Sequence, residues 1–254
     1  MITNYHRPRT LEEALKLLSA PNSRPLGGGT VLTQSVDESF SVVDLQDLGL
    51  DKIRKSGNHL SIGATVTLQA MLESPLTPAT LKTGLKLESP INQRNRSTVA
   101  GALITSTGRS PFASLMLAMD AKISVVGDES TVYPLGDFLL AQQEFLKNKL
   151  VTNLEIPIQV KLAFETVARS PADQPVICAA LAQWKSGRTR LVLGGWGKTP
   201  TLAFDGTDAS GLEAAARNAA RDANDQWASA EYRSDIAAVL AKRCLGIISN
   251  ENIA

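Results

Sequence analysis

The feature that most constrains this chain is a run of three consecutive glycines within RPLGGGTVL, from Arg24 to Leu32. Glycine weakens a strand or helix by roughly 0.5–1 kcal/mol, so adjacent glycines mark a special turn or a closely approaching group. The run is not a Walker loop, because no lysine follows at the required spacing. It is not a GxGxxG fingerprint, because a strand is predicted to follow. Such a turn can still line up backbone N–H groups that donate to phosphate oxygens, with Thr30 adding a hydroxyl.

A second segment of the same kind is STVAGA, residues 97–102, which follows the basic and polar Arg94-Asn95-Arg96. It again combines hydroxyls with small residues that allow a ligand close to the backbone. Both segments lie next to predicted strand ends. Two interpretations stay open at this point: structural turns, or a pair of segments that clamp a pyrophosphate from two sides.

Composition excludes several classes of function. With 26 basic and 25 acidic residues, the chain lacks the basic surplus that nucleic acid or an anionic membrane requires. Cys178 and Cys244 form no CxxC pair, and His6 and His59 lie in no metal-ligand spacing, so no metal site is expected. No apolar leader and no stretch of about 18 apolar residues is present, which predicts a soluble cytoplasmic protein.

Local patterns predict mixed secondary structure. A capping box at Thr10 starts an amphipathic helix, and strands are predicted on both sides of the glycines. Residues 60–72 start as a strand and turn helical near Thr67, residues 111–119 have helical spacing, and Gly127-Asp128 lies at a hairpin turn. After a strand at 150–158 come three strand-like runs, KLAFETVARS, PVICAALAQWKSG and TRLVLGGWGKTP, and then the helical SAEYRSDIAAVLAKRCLGII.

Six segments, in order along nearly the whole chain, resemble the FAD-binding (medium) subunits of molybdenum hydroxylases, the xanthine dehydrogenase and aerobic carbon monoxide dehydrogenase group. YHRPRTLEEALKLL resembles the family's opening Tyr-x-x-Pro-x-(Ser/Thr)-Leu-Glu-Glu-Ala helix, and GGGTVL stands where the family has Ala-Gly-Gly-Thr-Asp-Leu. VVDLQDLGLDKI, LSIGATVTLQAML and RNRSTVAGAL occupy the places of its Val-Asp-Leu, Ile-Gly-Ala and Arg-Asn-x-x-Thr-x-Gly-Gly-Asn-Leu segments. SAEYRSDIAAVLAKRCL matches its Ser-x-x-Tyr-Arg C-terminal helix.

The resemblance implies an α+β fold. A two-subdomain FAD-binding domain of the PCMH (vanillyl-alcohol-oxidase-like) type would span residues 1–160, with subdomains of about 1–52 and 53–160. A small C-terminal domain, residues 161–254, would contain a three-stranded antiparallel sheet and helices. FAD would lie between the two N-terminal subdomains. The cofactor-binding residues implied by position are Leu26, Gly27, Gly28, Gly29, Thr30, Thr98, Val99, Ala100, Gly101 and Ala102, with Thr105 and Ser110 nearer the ribityl chain.

The sequence departs from the family at a few of these positions. Ala100-Gly101-Ala102 stands where the family favours Gly-Gly-Asn, Pro111 occupies the place of an Asp, and Val31 replaces an acid. Each lost polar contact costs about 0.5–1.5 kcal/mol, so the substitutions are expected to weaken FAD binding.

The function implied by the resemblance is that of an electron-transfer flavoprotein subunit. It would take electrons from an iron-sulfur small subunit of a complex that also holds a molybdopterin large subunit, and pass them through FAD to NAD, a quinone or oxygen. The flavin carries out the redox chemistry, so no catalytic side chain is expected. The alternative is a non-catalytic scaffold homologue that has lost FAD binding. A flavin enzyme acting alone is less favoured, because nothing resembles a substrate base.

Overall fold

The computed structural model describes residues 1–32, 38–171 and 173–250. The strands are β1 (Ile2–His6), β2 (Ser23–Leu26), β3 (Phe40–Asp44), β4 (Ile53–Ser56), β5 (His59–Gly63), β6 (Lys122–Val126), β7 (Ser130–Pro134), β8 (Leu150–Pro157), β9 (Val160–Val167), β10 (Ile177–Trp184), β11 (Thr189–Gly194) and β12 (Thr201–Gly206). The helices are α1 (Leu11–Leu18), α2 (Leu68–Glu73), α3 (Ala79–Glu88), α4 (Ile91–Arg94), α5 (Val99–Ile104), α6 (Pro111–Ala118), α7 (Leu135–Leu140), α8 (Gln142–Leu146), α9 (Leu212–Ala219) and α10 (Ala230–Asn250).

The chain divides into two compact units, which are described separately. The N-terminal unit comprises Met1–Leu76, Pro90–Thr105 and Lys122–Glu155. The C-terminal unit comprises Thr77–Ser89, Ser106–Ala121 and the chain from Ile156 onward. Helices α3 and α6 therefore pack in the C-terminal unit although they lie within the first 160 residues. The domain limits given from the sequence stay a prediction.

The N-terminal unit begins with a small parallel sheet in the order β1-β3-β2. The strands predicted on both sides of the glycines are confirmed as β2 and β3, and β1 joins them although its residues ITNYH are largely exposed and carry no apolar pattern. Helix α1 starts as predicted, because the Glu13 N–H donates to Thr10 Oγ1 at 3.2 Å. Its residues Ala14 and Leu18 pack against Val43 in the core.

A buried carboxylate at the end of the central strand links two strands of the parallel sheet. Asp44, at the end of β3, is 2% exposed. It accepts hydrogen bonds from the phenol of Tyr5 in β1 and from the Gln46 N–H at 3.0 Å. A buried carboxylate is tolerated when its oxygens are hydrogen-bonded in this way. The Tyr of the opening motif and the Asp of VVDL therefore meet in one structural contact.

The second sheet of the N-terminal unit has the order β4-β5-β8-β6-β7. The predicted hairpin is confirmed, since β6 pairs antiparallel with β7 and the Gly127 N–H donates to Glu129 O at 3.1 Å. The predicted change from strand to helix at Thr67 is confirmed as well, because its side chain caps α2 through the Ala70 N–H at 3.0 Å. The end of β5 is tied to β8 by a hydrogen bond from the Ala64 N–H to Thr152 O.

The C-terminal unit contains an antiparallel sheet in the order β12-β11-β10-β9, covered by α10 and α9. The three predicted strands are present, and TLAFDG adds β12 as a fourth. Helix α6 is buried along its whole length, which agrees with its apolar sequence PFASLMLA. The observed elements match the predicted α+β class.

Helix α10 is anchored by a buried arginine. Ser229 precedes the helix and accepts a hydrogen bond from the Tyr232 N–H at 3.2 Å. Arg233 is 0% exposed. Its guanidinium donates to both carboxylate oxygens of Asp225, at 2.8 and 2.9 Å, and to backbone carbonyls that include Val176 O at 3.0 Å. The Ser-x-x-Tyr-Arg motif thus works as a helix cap followed by a structural ion pair.

One local prediction needs correction. The segment after Ser97 was expected to be a small-residue stretch beside a strand end, but Val99–Ile104 form helix α5 with Thr98 as its N-cap. Small residues carry no strong period, and the helix is set by its contacts with the turn at residues 64–66. None of the helices in the described ranges combines the length and apolar character needed to cross a bilayer.

Candidate functional site

The three glycines lie where the chain leaves β2, and the second predicted segment lies directly against them. A Cβ atom on Gly28 would stand 1.7 Å from the carbonyl oxygen of Arg96, so no larger residue can occupy this position without moving the backbone. A Cβ on Gly27 would come within 2.9 Å of Thr98 Oγ1. The hydroxyl of Ser97 donates to Thr30 Oγ1 at 3.3 Å. The two segments therefore meet, and the group that approaches Gly28 most closely is protein main chain.

Most amides of the second segment already have acceptors within the protein. The Val99 and Ala100 N–H groups donate to the carbonyls of Val66 and Ala64, at 2.8 and 3.3 Å. The Gly101 N–H donates to Thr98 Oγ1 at 3.2 Å, and the Ala102 N–H donates to Thr98 O at 2.8 Å, as the first turn of α5 requires. These four N–H groups are therefore hydrogen-bonded within the protein and are not available to a ligand.

The backbone donors that remain lie mainly in the first segment. No described residue accepts a hydrogen bond from the N–H of Gly27, Gly28 or Thr98. Gly29 has a positive φ of 71°, a left-handed conformation that glycine adopts without strain and that sharpens the turn. The chain thus presents N–H groups from both segments at one place, and such groups are donors for an anion.

Gly27 and Thr98 line a cavity of about 380 Å³ within the N-terminal unit, whereas Gly28 is not one of its lining residues. Its volume falls in the range of small-molecule sites, which are mainly apolar with a few placed polar groups. The lining residues are Leu18, Ser23, Pro25, Gly27, Leu45, Ala64, Thr65, Thr98, Ala100, Gly101, Ile104, Leu146, Asn148, Lys149, Leu150 and Val151. Gly27, Thr98, Ala100 and Gly101 of the predicted site therefore face a common cavity.

Four polar residues of the cavity, Ser23, Thr65, Asn148 and Lys149, were not found from the sequence, and two of them are of interest here. Thr65 Oγ1 is buried and has no hydrogen-bond partner in the described chain, although its backbone N–H donates to Leu50 O at 3.0 Å. Lys149 also lines the cavity, and its Cγ lies 2.9 Å from the place of a Cβ on Gly127. A single threonine and a single lysine form no motif, so the sequence carried no signal for either.

Several predicted site residues lie elsewhere. Leu26 ends β2, and its carbonyl accepts from the Leu45 N–H at 3.0 Å. Thr105 is exposed and donates its hydroxyl to Gly101 O at 2.8 Å. Ser110 belongs to the C-terminal unit, where it caps α6 and donates its hydroxyl to Glu88 at 2.8 Å. Neither Thr105 nor Ala102 is among the residues that line the cavity.

The departure at Pro111 has a structural explanation. Pro111 is the first residue of α6 and is buried. The carboxyl of Glu88 lies at the same helix start, because it accepts from the Phe112 N–H at 3.0 Å. Burial raises the pKa of Glu88, and the hydrogen bonds from Phe112 and Ser110 oppose that rise. An aspartate at position 111 would add a second carboxyl beside a buried one, which this packing disfavours.

Comparisons with known proteins identify the family. Residues 1–159 match the model of the FAD binding domain in molybdopterin dehydrogenase. The chain belongs to this FAD-binding family, as the sequence resemblance predicted, and FAD is the cofactor that defines it. In the described ranges, no group of three or more His, Cys, Asp or Glu side chains is placed to hold a metal ion.

Individual relatives agree with the family and extend the likeness to the whole chain. The 6-hydroxypseudooxynicotine dehydrogenase complex subunit alpha of Paenarthrobacter nicotinovorans is 26% identical, over 93% of this chain and 90% of that protein. Reconstituted CO dehydrogenase from Oligotropha carboxidovorans has a chain that is 26% identical, with a TM-score of 0.80 over 96% of both chains. Quinoline 2-oxidoreductase from Pseudomonas putida 86 shares the fold, with a TM-score of 0.80 at 22% identity over 99% of this chain and 98% of that chain.

Proposed function

We propose that this chain retains FAD and acts as the electron-transfer flavoprotein subunit of a molybdenum hydroxylase complex. The observation that carries the proposal is that the N–H groups of Gly27, Gly28 and Thr98 have no acceptor among the described residues. Gly27 and Thr98 line a cavity together with Thr65, whose buried hydroxyl has no partner among those residues either. A dinucleotide offers both phosphate oxygens for the N–H groups and polar atoms for the hydroxyl. The residues present therefore fit the cofactor of the family.

The proposed work of the chain is to bind and orient FAD. The N–H groups of Gly27 and Gly28 would donate to the diphosphate, and the contact of Gly28 with Arg96 O holds this turn fixed before the ligand arrives. Apolar residues such as Leu45 and Leu150 exclude water from the cavity around the ligand. When bound, FAD supplies the ability to accept and release electrons. No acid or base of this chain is required.

The electron donor would be iron-sulfur clusters on a partner chain. This protein has two cysteines, and both are buried. Burial raises the pKa of each thiol to about 12, so neither is a thiolate at neutral pH. Since clusters are held by several thiolates, they would belong to a small iron-sulfur subunit beside a molybdopterin-containing large subunit. The relative from Paenarthrobacter nicotinovorans is itself named as a subunit of a dehydrogenase complex. The acceptor would be NAD, a quinone or oxygen.

The scaffold alternative rests on a specific observation. Four amides of the second segment are paired inside the protein, and Ala100 adds a methyl group to the cavity wall where the family favours glycine. A chain that keeps its fold by these contacts does not need FAD to maintain it. In this alternative, the natural protein does not bind FAD, and Ala100→Gly would restore FAD binding.

The visible absorption spectrum separates the two functions. The purified protein is expected to show the two flavin bands and to release FAD on denaturation. Titration of cofactor-free protein with FAD should also raise its melting temperature, because a ligand that binds only the folded state stabilises it. A colourless protein whose melting temperature does not respond to FAD would contradict the proposal and support the scaffold function.

A further inference from the structure

Thr65 carries a buried polar atom whose role the fold does not explain. Its Oγ1 is buried and has no hydrogen-bond partner in the described part of the chain, and Thr65 is one of the residues that line the cavity. Its backbone is well held, because its N–H donates to Leu50 O at 3.0 Å just after β5. Valine has the same shape without the hydroxyl, so packing alone gives no reason for a threonine here.

An unsatisfied buried hydroxyl destabilises a folded protein, and most such groups in native structures have partners. No described residue supplies that partner and Thr65 lines the cavity, so a molecule that enters the cavity can supply it. Gly27, Thr98 and Lys149 line the same cavity, and the backbone N–H groups of the first two and the ammonium of the third can only donate. Thr65 adds a group that can also accept a hydrogen bond, so it can bind a ligand hydroxyl or ring N–H that those donors cannot.

We propose that Thr65 is a positioning residue for FAD, with its hydroxyl hydrogen-bonded to a polar atom of the dinucleotide inside this cavity. The proposal rests on the proposed function and adds to it a residue outside both glycine segments. It carries a physical consequence, because the same hydroxyl weakens the protein without ligand and strengthens the complex. Removing it must therefore change stability and affinity in opposite directions.

The test compares Thr65→Val and Thr65→Ser with the natural protein. Two quantities are measured: the melting temperature of cofactor-free protein, and the dissociation constant for FAD from quenching of flavin fluorescence. Thr65→Val is expected to melt at a higher temperature and to bind FAD about tenfold more weakly. Thr65→Ser keeps the hydroxyl and should retain the FAD affinity within a factor of about two. Thr131→Val on β7, where the residue is exposed, is the matched control and should change neither quantity.

Opposite shifts in Thr65→Val, with affinity retained in Thr65→Ser, support the proposal. If the natural protein and Thr65→Val bind FAD equally well, the proposal is overturned while the proposed function stands. If Thr65→Val loses affinity and also melts at a lower temperature, the loss comes from structural damage, which overturns it too. If the natural protein binds no FAD, the proposed function fails, and the role of Thr65 fails with it.

Discussion

Gly28 and Arg96 form the closest approach between the two segments of the site: a Cβ on Gly28 would lie 1.7 Å from the carbonyl oxygen of Arg96. This contact explains why a side chain is excluded at the middle of the glycine run. It also fixes the turn at Gly27 and Gly28, whose N–H groups have no acceptor in the described ranges, so the integrity of the fold and the geometry of the site depend on the same atoms.

Gly28→Ala is expected to destabilise the protein severely, by about 3 kcal/mol or more, because backbone rather than a flexible side chain must move. The measurement is urea denaturation followed by circular dichroism. Gly246→Ala on α10 is the control, since a Cβ there meets nothing within 4 Å. Helix propensity predicts that this control gains up to about 1 kcal/mol. Equal stabilities of Gly28→Ala and the natural protein would contradict the close contact.

Asp225→Asn is expected to destabilise the protein by about 3–5 kcal/mol, because it leaves the buried guanidinium of Arg233 without its counter-charge. Burial would raise the pKa of Asp225, but hydrogen bonds from Arg233, Trp227 and Ala228 lower it overall. The stabilisation is therefore present above the pKa of the unfolded state and is lost as the pH falls through the lower pKa of the folded state. Denaturation curves at a series of acidic pH values measure both effects.

Asp222→Asn provides the comparison for Asp225. Asp222 pairs with Arg221 at 3.2 Å, and both side chains are mainly exposed. Its loss should change the free energy of unfolding by no more than about 0.5 kcal/mol. A similarly small effect in Asp225→Asn would show that the Arg233 guanidinium finds other partners and that the ion pair is not structural.

For Glu88 we expect the opposite dependence of the free energy of unfolding on pH. Burial raises its pKa, so the folded protein binds this proton more tightly than the unfolded chain does. Its contribution to stability is fully present below the unfolded pKa and is lost as the pH rises through the folded pKa. Glu88→Gln should remove that loss, so its stability relative to the natural protein should improve as pH rises from acidic to neutral. A difference in unfolding free energy that stays constant with pH would refute the assignment.

Lys149→Met is expected to weaken FAD binding about two- to fivefold and to make the remaining affinity less sensitive to salt, because Lys149 lines the cavity and its positive charge attracts the diphosphate. Methionine keeps the apolar stem that packs over Gly127. Fluorescence titration at low and high salt measures the effect. Lys147→Met removes a charge from an exposed position two residues away and should leave affinity nearly unchanged. Equal losses in the two variants would indicate a general effect of charge.

Much of the fold follows from local signals. The Thr10 capping box, the hairpin turn at Gly127 and the buried run of α6 each depend on interactions within a few residues, so the sequence predicted them. Strands β1 and β12 were missed because β1 is largely exposed, β12 is only partly buried, and pairing with neighbouring strands decides the conformation of both. The start of α5 was missed for a related reason, since carbonyls of another segment fix it.

The candidate site was likewise predicted only in part. The glycine run predicted that some group approaches the backbone closely. Only the three-dimensional structure identifies this group as the carbonyl of Arg96, which is distant in sequence from Gly28. The family resemblance implied that both segments bind FAD. In the structure, however, the N–H groups of Val99 and Ala100 donate to carbonyls of the protein. Thr65 and Lys149 had no pattern to reveal them, because each is one common residue whose importance depends on what surrounds it.

The contact of Gly28 with Arg96 also affects how FAD-binding members of the family can be distinguished by sequence from members that have lost FAD. Because the main chains of Gly28 and Arg96 pack against each other, a homologue that no longer binds FAD would still need a glycine at this position. The glycine motif is therefore a marker of common descent. The Thr65 hydroxyl, which has no partner among the described residues, would be a better marker of present use, because valine fills the same space when no ligand needs the hydroxyl.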